Sequence, residues 1–124
     1  MKNQLSEAQR YIDNAKEILS TKANKEDGYY EDKKYVKLAG HAAYSGVLVA
    51  LDSVMVSKEK GRKSVDWYKS ELAKLDKKIL NYFDTTYQIF HLVMGYDGHG
   101  QAKMALQGFE VADKILQWVK IKSV

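Results

Sequence analysis

Apolar residues recur every three or four positions along much of the chain, which is the spacing of an amphipathic α-helix. The first stripe of this kind consists of Leu5, Ala8, Ile12, Ala15, Leu19 and Ala23. Ser6 and Gln9 match a capping box, in which an N-cap hydroxyl and a side chain three residues later satisfy each other's backbone amides. The pattern therefore predicts a first helix capped by Ser6 and ended by a polar turn at residues 22–28.

A second helix is predicted over residues 30–57, of which residues 42–51 carry no charge. A helix that is apolar all round must be covered all round, by neighbouring helices or by a second subunit. Small residues in this helix let another backbone approach closely, so we expect a tight helix crossing. The residues expected at an interface are Gly40, Ala43, Gly46, Val47 and Ala50.

A polar, glycine-containing break follows at residues 58–63, and Ser64 is placed to cap the next helix. Helical spacing then continues to about Met94. One long helix or two helices with a kink near residues 84–86 would fit this stretch, because adjacent β-branched threonines slightly favour a kink.

The last part of the chain predicts a loop and one more helix. Residues 95–100 contain three glycines, and residues 101–122 return to helical spacing. No strand-type alternation or internal repeat is present. The sequence therefore predicts an all-α fold, an antiparallel bundle of four to five helices.

Composition fits one domain over residues 1–124 and excludes several chemistries. The chain has no cysteine, which excludes disulfides, a thiolate nucleophile and cysteine-based zinc sites. It has no proline, so long helices are not interrupted. No secretory signal is visible, and the longest uncharged stretch, residues 38–51, is too short to span a bilayer. We therefore expect a cytoplasmic protein without a membrane partner.

The net charge of +4 is modest, and its densest part lies in one turn. Lys58, Lys60, Arg62 and Lys63 form a basic patch that could contact nucleic acid. Basic and acidic residues are mixed elsewhere along the chain. A solvated loop is therefore the favoured interpretation, with nucleic acid as a weakly supported partner.

The three histidines are the main candidates for chemistry. We expect His41, which lies among small residues, to be a core histidine hydrogen-bonded to a neighbouring helix rather than a ligand. His91, Tyr96, Asp97 and His99 lie close together in sequence and are the candidate residues for binding a ligand or partner. The chain has no His-Glu-x-x-His spacing and only one carboxylate in this loop, so no metal site is predicted.

Two further features have structural interpretations. Asp52 interrupts an apolar run, so it should pair with a lysine or tyrosine across the bundle or lie on a face open to solvent. The glycine loop precedes a helix, as phosphate-binding loops do, but it lacks the G-x-x-x-x-G-K-[ST] pattern and no strand precedes it. We expect a plain connector and no cofactor.

The order of these features resembles the HEPN (higher eukaryote and prokaryote nucleotide-binding) domains. The resemblance is carried by residues 11–19 (YIDNAKEIL), residues 39–46 (AGHAAYSG) and residues 95–97 (GYD) before a final helix. It implies a bundle of four to five helices that is often dimeric. The chain is also similar to small, uncharacterised bacterial all-α proteins, which imply no function.

Many HEPN domains are ribonucleases, with an arginine and, within two helical turns, a histidine just before a Gly-Tyr-type turn. The matching positions here hold Ile89 and Met94, and neither Arg10 nor Arg62 has a histidine at the required distance. The imidazole for proton transfer and the guanidinium for phosphate charge are both missing. The resemblance therefore favours the fold and argues against the ribonuclease activity.

No catalytic constellation can be assembled from the sequence, so we expect a non-catalytic helical bundle that acts by binding. The all-round apolar second helix favours a homodimer, and a partner protein is a further candidate. The alternative is a HEPN-type nucleic-acid or nucleotide binding protein, or a degenerate ribonuclease that uses His91.

Overall fold

The computed structural model describes residues 2–55 and 63–123. The helices are α1 (Lys2–Lys22), α2 (Lys33–Asp52), α3 (Val65–Leu75), α4 (Lys77–Thr86), a π-helix (Tyr87–Tyr96) and α5 (Ala102–Lys122). A short antiparallel hairpin of β1 (Lys25–Glu26) and β2 (Tyr29–Tyr30) connects α1 to α2. The predicted all-α bundle is confirmed. None of the described helices is long and apolar enough to cross a membrane.

The first helix buries its predicted stripe but begins earlier than predicted. Five of the six stripe residues are fully or almost fully buried: Ala8, Ile12, Ala15, Leu19 and Ala23. Because residues 2–5 contain no glycine or proline, the helix extends upstream and Ser6 lies inside it. The predicted capping box is therefore wrong, and the Gln9 side chain instead donates to Asp13 Oδ1 at 3.0 Å.

The polar turn predicted at residues 22–28 holds β1 and the tight turn of the hairpin, and β2 follows directly after it. Asp27 and Gly28 both have positive φ, the backbone conformation of tight hairpin turns. The hairpin is held from outside, since Tyr30 N donates to Gly100 O at 2.7 Å and Ala102 N donates to Gly28 O at 2.9 Å. It thereby joins the start of α2 to the start of α5.

Helix α2 packs against α1, the π-helix and α5. A Cβ atom at Gly40 would lie 2.6 Å from Phe90 O and 2.7 Å from Gly95 N, so only glycine allows this approach to the π-helix. A Cβ atom at Gly46 would lie 2.9 Å from Ala8 O on α1. The tight helix crossing is present, and both backbones belong to the same chain.

This crossing corrects the predicted interface between subunits. All five interface candidates are buried within the single chain: Gly40, Ala43, Gly46, Val47 and Ala50. They are covered because α1 and the π-helix supply the close-packed neighbours that the small residues require. Helix α2 is also shorter than predicted, since Tyr30 belongs to β2 and the helix ends at Asp52. The predicted end at Ser57 lies outside the described residues.

The stretch predicted as one or two helices forms three. Ser64 caps α3 as predicted, accepting from Trp67 N at 3.0 Å. The first break comes at Asp76, whose backbone is extended and whose carboxylate caps α4 by accepting from Lys78 N and Ile79 N. Leu75, the last residue of α3 before this break, is exposed.

The second change in this stretch is the start of the π-helix directly after Thr86, beside the predicted kink. A π-helix has hydrogen bonds from residue i to residue i+5, and long examples are rare. The pattern persists to its end, where Asp97 N donates to Leu92 O at 2.9 Å. Gly95 and Tyr96, predicted in a loop, therefore belong to the π-helix, and the connection to α5 is shorter than expected.

Candidate functional site

The structure separates the residues predicted to form one site. Asp97 and His99 line an open pocket of about 530 Å³ at the end of the bundle, together with Tyr30 and Lys33. His91 does not line this pocket and lies instead where the π-helix crosses α2. The chain turns after the π-helix, so residues close in sequence face different surroundings.

The pocket at the end of the bundle has mixed charge, because Glu31 and Asp97 line it with Lys33. Its glycines have structural reasons. Gly98 has a φ of +69°, a conformation that favours glycine, and a Cβ atom at Gly100 would overlap the carbonyl oxygen of Tyr30. These glycines thus fit the loop against α2 and the hairpin.

Four aromatic rings form a continuous cluster where α2 crosses the π-helix. We call His41, Tyr44, Tyr87 and His91 the histidine–tyrosine cluster. The rings of Tyr87 and His91 stack with centroids 5.2 Å apart and planes inclined by 21°. Tyr44 lies 5.0 Å from His91 and 5.9 Å from Tyr87, and the two histidine rings are 6.5 Å apart in a T-shaped arrangement.

Local structure explains how these rings meet. Tyr87 and His91 are four residues apart, about one turn of a π-helix, so they lie on one side of it. Gly95 has no side chain, and a Cβ atom there would lie 3.3 Å from two atoms of the His41 ring. The close approach of α2 to the π-helix thus brings His41 onto the surface beside His91.

His41 is exposed, which corrects its predicted place in the core. It follows Gly40, the residue at the closest approach, and lies on the side of α2 that the neighbouring helices leave open. Tyr44 is buried and His91 is half-buried, so the histidine–tyrosine cluster extends from the core to the surface. Sequence reasoning did not single out Tyr44 or Tyr87 as site residues, although Tyr44 lies within residues 39–46, which carry the HEPN resemblance.

The positions that would hold the HEPN ribonuclease pair, Ile89 and Met94, are both buried in the core. Within residues 2–55 and 63–123, no group of three or more histidine, aspartate or glutamate side chains could hold a metal ion. The histidine–tyrosine cluster has two imidazoles, those of exposed His41 and half-buried His91.

Asp52 is paired, as one of its two predicted alternatives required. The Tyr68 hydroxyl donates to Asp52 Oδ1 at 2.7 Å, and Lys63 Nζ lies 3.9 Å from the same oxygen. Burial of the phenol and, after it, the hydrogen bond to Asp52 raise the pKa of Tyr68. These contacts hold the end of α2 against α3.

Little of the predicted basic patch can be placed. Lys58, Lys60 and Arg62 lie outside the described residues. Lys63 is described, and its ammonium group contacts both Asp52 and the ring of Trp67, 5.6 Å from the ring centroid. Its charge is thus partly engaged within the chain.

The outward sides of residues 38–51 of α2 and of the π-helix form a surface without charged residues. Residues 38–51 and the whole π-helix contain no lysine, arginine, aspartate or glutamate. Leu38 is 49% exposed and Tyr96 is 74% exposed. We call the following exposed or half-buried residues the uncharged surface: Leu38, His41, Ser45, His91, Leu92 and Tyr96.

The fold and these sites define a small all-α bundle, and comparison with known proteins places it in a family. Residues 3–121 match DUF5618, described as a domain of unknown function, and the chain belongs to this family. It is similar to a solved protein of unknown function from Dyadobacter fermentans, with 56% identity and a TM-score of 0.94. That match covers 98% of this chain and 97% of the other. No curated protein matches the chain.

Proposed function

We propose that the protein acts by binding rather than by catalysis and that it forms a homodimer through the uncharged surface. One observation carries the proposal, namely that two neighbouring stretches without charged residues, residues 38–51 of α2 and the π-helix, expose Leu38 and Tyr96 to solvent. Removing apolar side chains from water is favourable, and contiguous exposed apolar surface is typical of interaction sites.

A second copy of the chain is the occupant that this surface fits best. In a two-fold symmetric dimer, the same patch of each subunit faces itself across the axis. A patch with lysines or acids would place like charges opposite each other, whereas the uncharged surface avoids that repulsion. The aromatic ring of Tyr96 and the side chain of Leu38 supply area that a symmetric contact would bury.

The groove between α1 and α5 is a less suitable interface. Leu106 is exposed there, but the same groove contains the ion pair of Lys16 and Asp113 and the carboxylate of Glu110. Burying those charges against a partner would require their desolvation. The uncharged surface lacks this penalty.

Sedimentation velocity over a range of protein concentrations tests the proposal. The wild type should reach the mass of a dimer, and Leu38→Glu should shift the equilibrium towards the 14.2 kDa monomer. Leu75→Glu is the matched control, because Leu75 is 51% exposed but lies at the end of α3. We expect no dissociation of this variant.

Three results would overturn this assignment. The first is a wild type that stays monomeric at all concentrations. The second is equal dissociation by Leu38→Glu and Leu75→Glu. The third is dissociation by Leu106→Glu alone, which would move the interface to the groove between α1 and α5.

A second candidate is the HEPN-type alternative, a nucleic-acid binding protein or degenerate ribonuclease. It is favoured by the two imidazoles of His41 and His91 at an accessible crossing, since a pair of histidines can act as general base and general acid. Incubation of RNA with wild type, His91→Ala and His99→Ala tests it. Cleavage lost only in His91→Ala would support this function, and equal cleavage by all three proteins would exclude His91.

A further inference from the structure

We propose that two copies of the chain associate by antiparallel pairing of their α2 helices, so that Leu38 of each subunit packs against the partner's Leu48. The inference rests on the homodimer proposed above and adds the register of its interface, which that proposal does not specify. It starts from the order of the open positions along α2.

One stripe of α2 is left open by the rest of the chain, from the first turn of the helix to its last residue. Its members are exposed or half-buried and follow one another at intervals of four, three, four, three and four residues. This is the spacing of a heptad seam, the side of a helix that pairs with another helix in coiled coils. We call the following residues the open stripe, of which the second, third and fourth also belong to the uncharged surface: Lys34, Leu38, His41, Ser45, Leu48 and Asp52.

The intervals along the open stripe are the same in both directions. When a second α2 helix is turned end for end about the middle of the stripe, each open position therefore meets another open position. Leu38 then lies opposite the partner's Leu48, and Lys34 lies opposite the partner's Asp52. A two-fold axis repeats both pairs, as the symmetry of a homodimer requires.

The two halves of the open stripe have complementary shapes. Leu38, in the first half, is 49% exposed. The second half contributes Leu48 and Asp52 to an open pocket of about 280 Å³, which Val49 and Tyr11 also line. Antiparallel pairing brings the exposed leucine of each subunit to the pocket of the other, which removes apolar surface of both subunits from water.

The charges at the two ends of the open stripe favour the antiparallel register. Lys34 is exposed at one end, and the side chain of Asp52 is 31% exposed at the other. Antiparallel pairing places these unlike charges together at both ends of the interface. Parallel pairing would instead set lysine against lysine and aspartate against aspartate, and such like-charge contacts suppress association.

The surroundings of Asp52 leave room for a cation of a second copy. The Tyr68 hydroxyl and the Lys63 ammonium group both approach Oδ1, at 2.7 Å and 3.9 Å. An ionised carboxylate accepts at both of its oxygens, so Oδ2 can accept from the partner's Lys34. Nζ of Lys34 lies 5.2 Å from the centre of the Tyr35 ring, a surface contact that an ion pair can replace.

Cysteine cross-linking tests the register directly, because the chain has no cysteine of its own. We expect Leu38→Cys mixed with Leu48→Cys to form a covalent dimer under mild oxidation, since a disulfide requires Cα atoms about 4.4–6.8 Å apart. Either variant alone should cross-link several-fold less, because its two equivalent cysteines would be about 15 Å apart along the helix axis. Non-reducing electrophoresis of chains with tags of different mass distinguishes the mixed dimer.

A change of charge gives a second, independent measurement. Lys34→Glu would set two carboxylates against each other at both ends of the interface, so sedimentation velocity should show self-association weakened about tenfold. Lys33→Glu is the matched control, because it makes the same change at an exposed residue of α2 that is not part of the open stripe. Its self-association should stay within about twofold of the wild type.

The outcomes separate the register from the homodimer. A wild type that stays monomeric overturns both. If the wild type is a dimer that Leu38→Glu dissociates, the register alone is overturned when the mixed cysteine variants cross-link no more than each variant by itself. Equal weakening by Lys34→Glu and Lys33→Glu also overturns it. Circular dichroism checks folding, and if Leu48→Cys does not fold, the two exposed lysines decide the outcome.

Discussion

The inner and outer faces of α2 contain similar small and apolar residues, yet they differ in what holds them. On the inner face, the α-carbons of Gly40 and Gly46 lie so close to the π-helix and to α1 that a methyl group would meet backbone atoms. On the outer face, Leu38 and His41 are exposed, and Ser45 is half-buried.

This difference separates structural from functional constraint within one helix. The inner face accepts only residues that fit the packing of the same chain, because buried backbone atoms cannot move apart without opening the core. The outer face has no such requirement, so the lack of charge over residues 38–51 is not explained by packing. Binding to another molecule would explain it, and the predictions below test whether the two faces differ as sharply as their contacts indicate.

The largest effect on stability is expected for Gly40→Ala. Alanine favours a helix over glycine by about 1 kcal/mol, but its Cβ would lie 2.6 Å from Phe90 O and 2.7 Å from Gly95 N. The resulting overpacking should lower the free energy of unfolding by about 1–3 kcal/mol, measured by urea denaturation. Ser45→Ala on the outer face is the control and should stay within about 0.5 kcal/mol of the wild type.

A Gly40→Ala protein with the same free energy of unfolding as the wild type would mean that the π-helix can shift away from α2 at little cost. The inner face would then be as adaptable as the outer one. The same measurement on Ser45→Ala keeps this conclusion specific, because both changes create an alanine on the same helix.

A smaller effect is expected where the outer face ends at Asp52. Tyr68→Phe removes the hydroxyl that donates to Asp52 at 2.7 Å, and hydrogen bonds to charged groups contribute about 1.5–3 kcal/mol. Because Asp52 is partly exposed and also near Lys63, we expect a loss of only about 1 kcal/mol in urea denaturation at pH 7. A loss of less than about 0.3 kcal/mol in the free energy of unfolding would show that Lys63 and water replace the hydroxyl of Tyr68 as partners of Asp52.

The same pair predicts a dependence on pH. Burial and the bond to Asp52 raise the pKa of Tyr68 in the folded state, whereas an unfolded tyrosine has a pKa of about 10. The folded state therefore keeps the proton more strongly, and this stabilisation is present below about pH 10 and lost as the pH rises further. The decline in stability from about pH 9 to about pH 11 should be smaller in Tyr68→Phe than in the wild type.

The sequence predicted the features that depend on local spacing. The stripe of α1 and the cap at Ser64 follow from residue type and periodicity, because amphipathic spacing selects the side of a helix that is buried. For Asp52 the sequence left two alternatives, and pairing was one of them. The bundle architecture follows from the same signal.

The candidate site could not be predicted in this way. The histidine–tyrosine cluster joins residues of α2 to residues more than forty positions later in the π-helix, and spacing within one helix does not indicate which neighbour covers it. His91 and His99 are only eight residues apart, yet they lie in separate sites, since the chain turns between them. The break at Asp76 also needed the structure, because Asp76 is an ordinary polar residue until its carboxylate caps α4.

The smallest effect is expected for His41→Ala, directly beside Gly40 in the chain. Since the His41 side chain is exposed, its removal should change the free energy of unfolding by less than about 0.5 kcal/mol. Neighbouring positions would then differ severalfold in their effect on stability, as expected if the outer face is free of packing requirements. A loss above about 1 kcal/mol would instead mean that the imidazole stabilises the π-helix through its contact with Gly95. In that case the fold of the chain itself would require the histidine, and its exposure would no longer argue for a ligand or a partner.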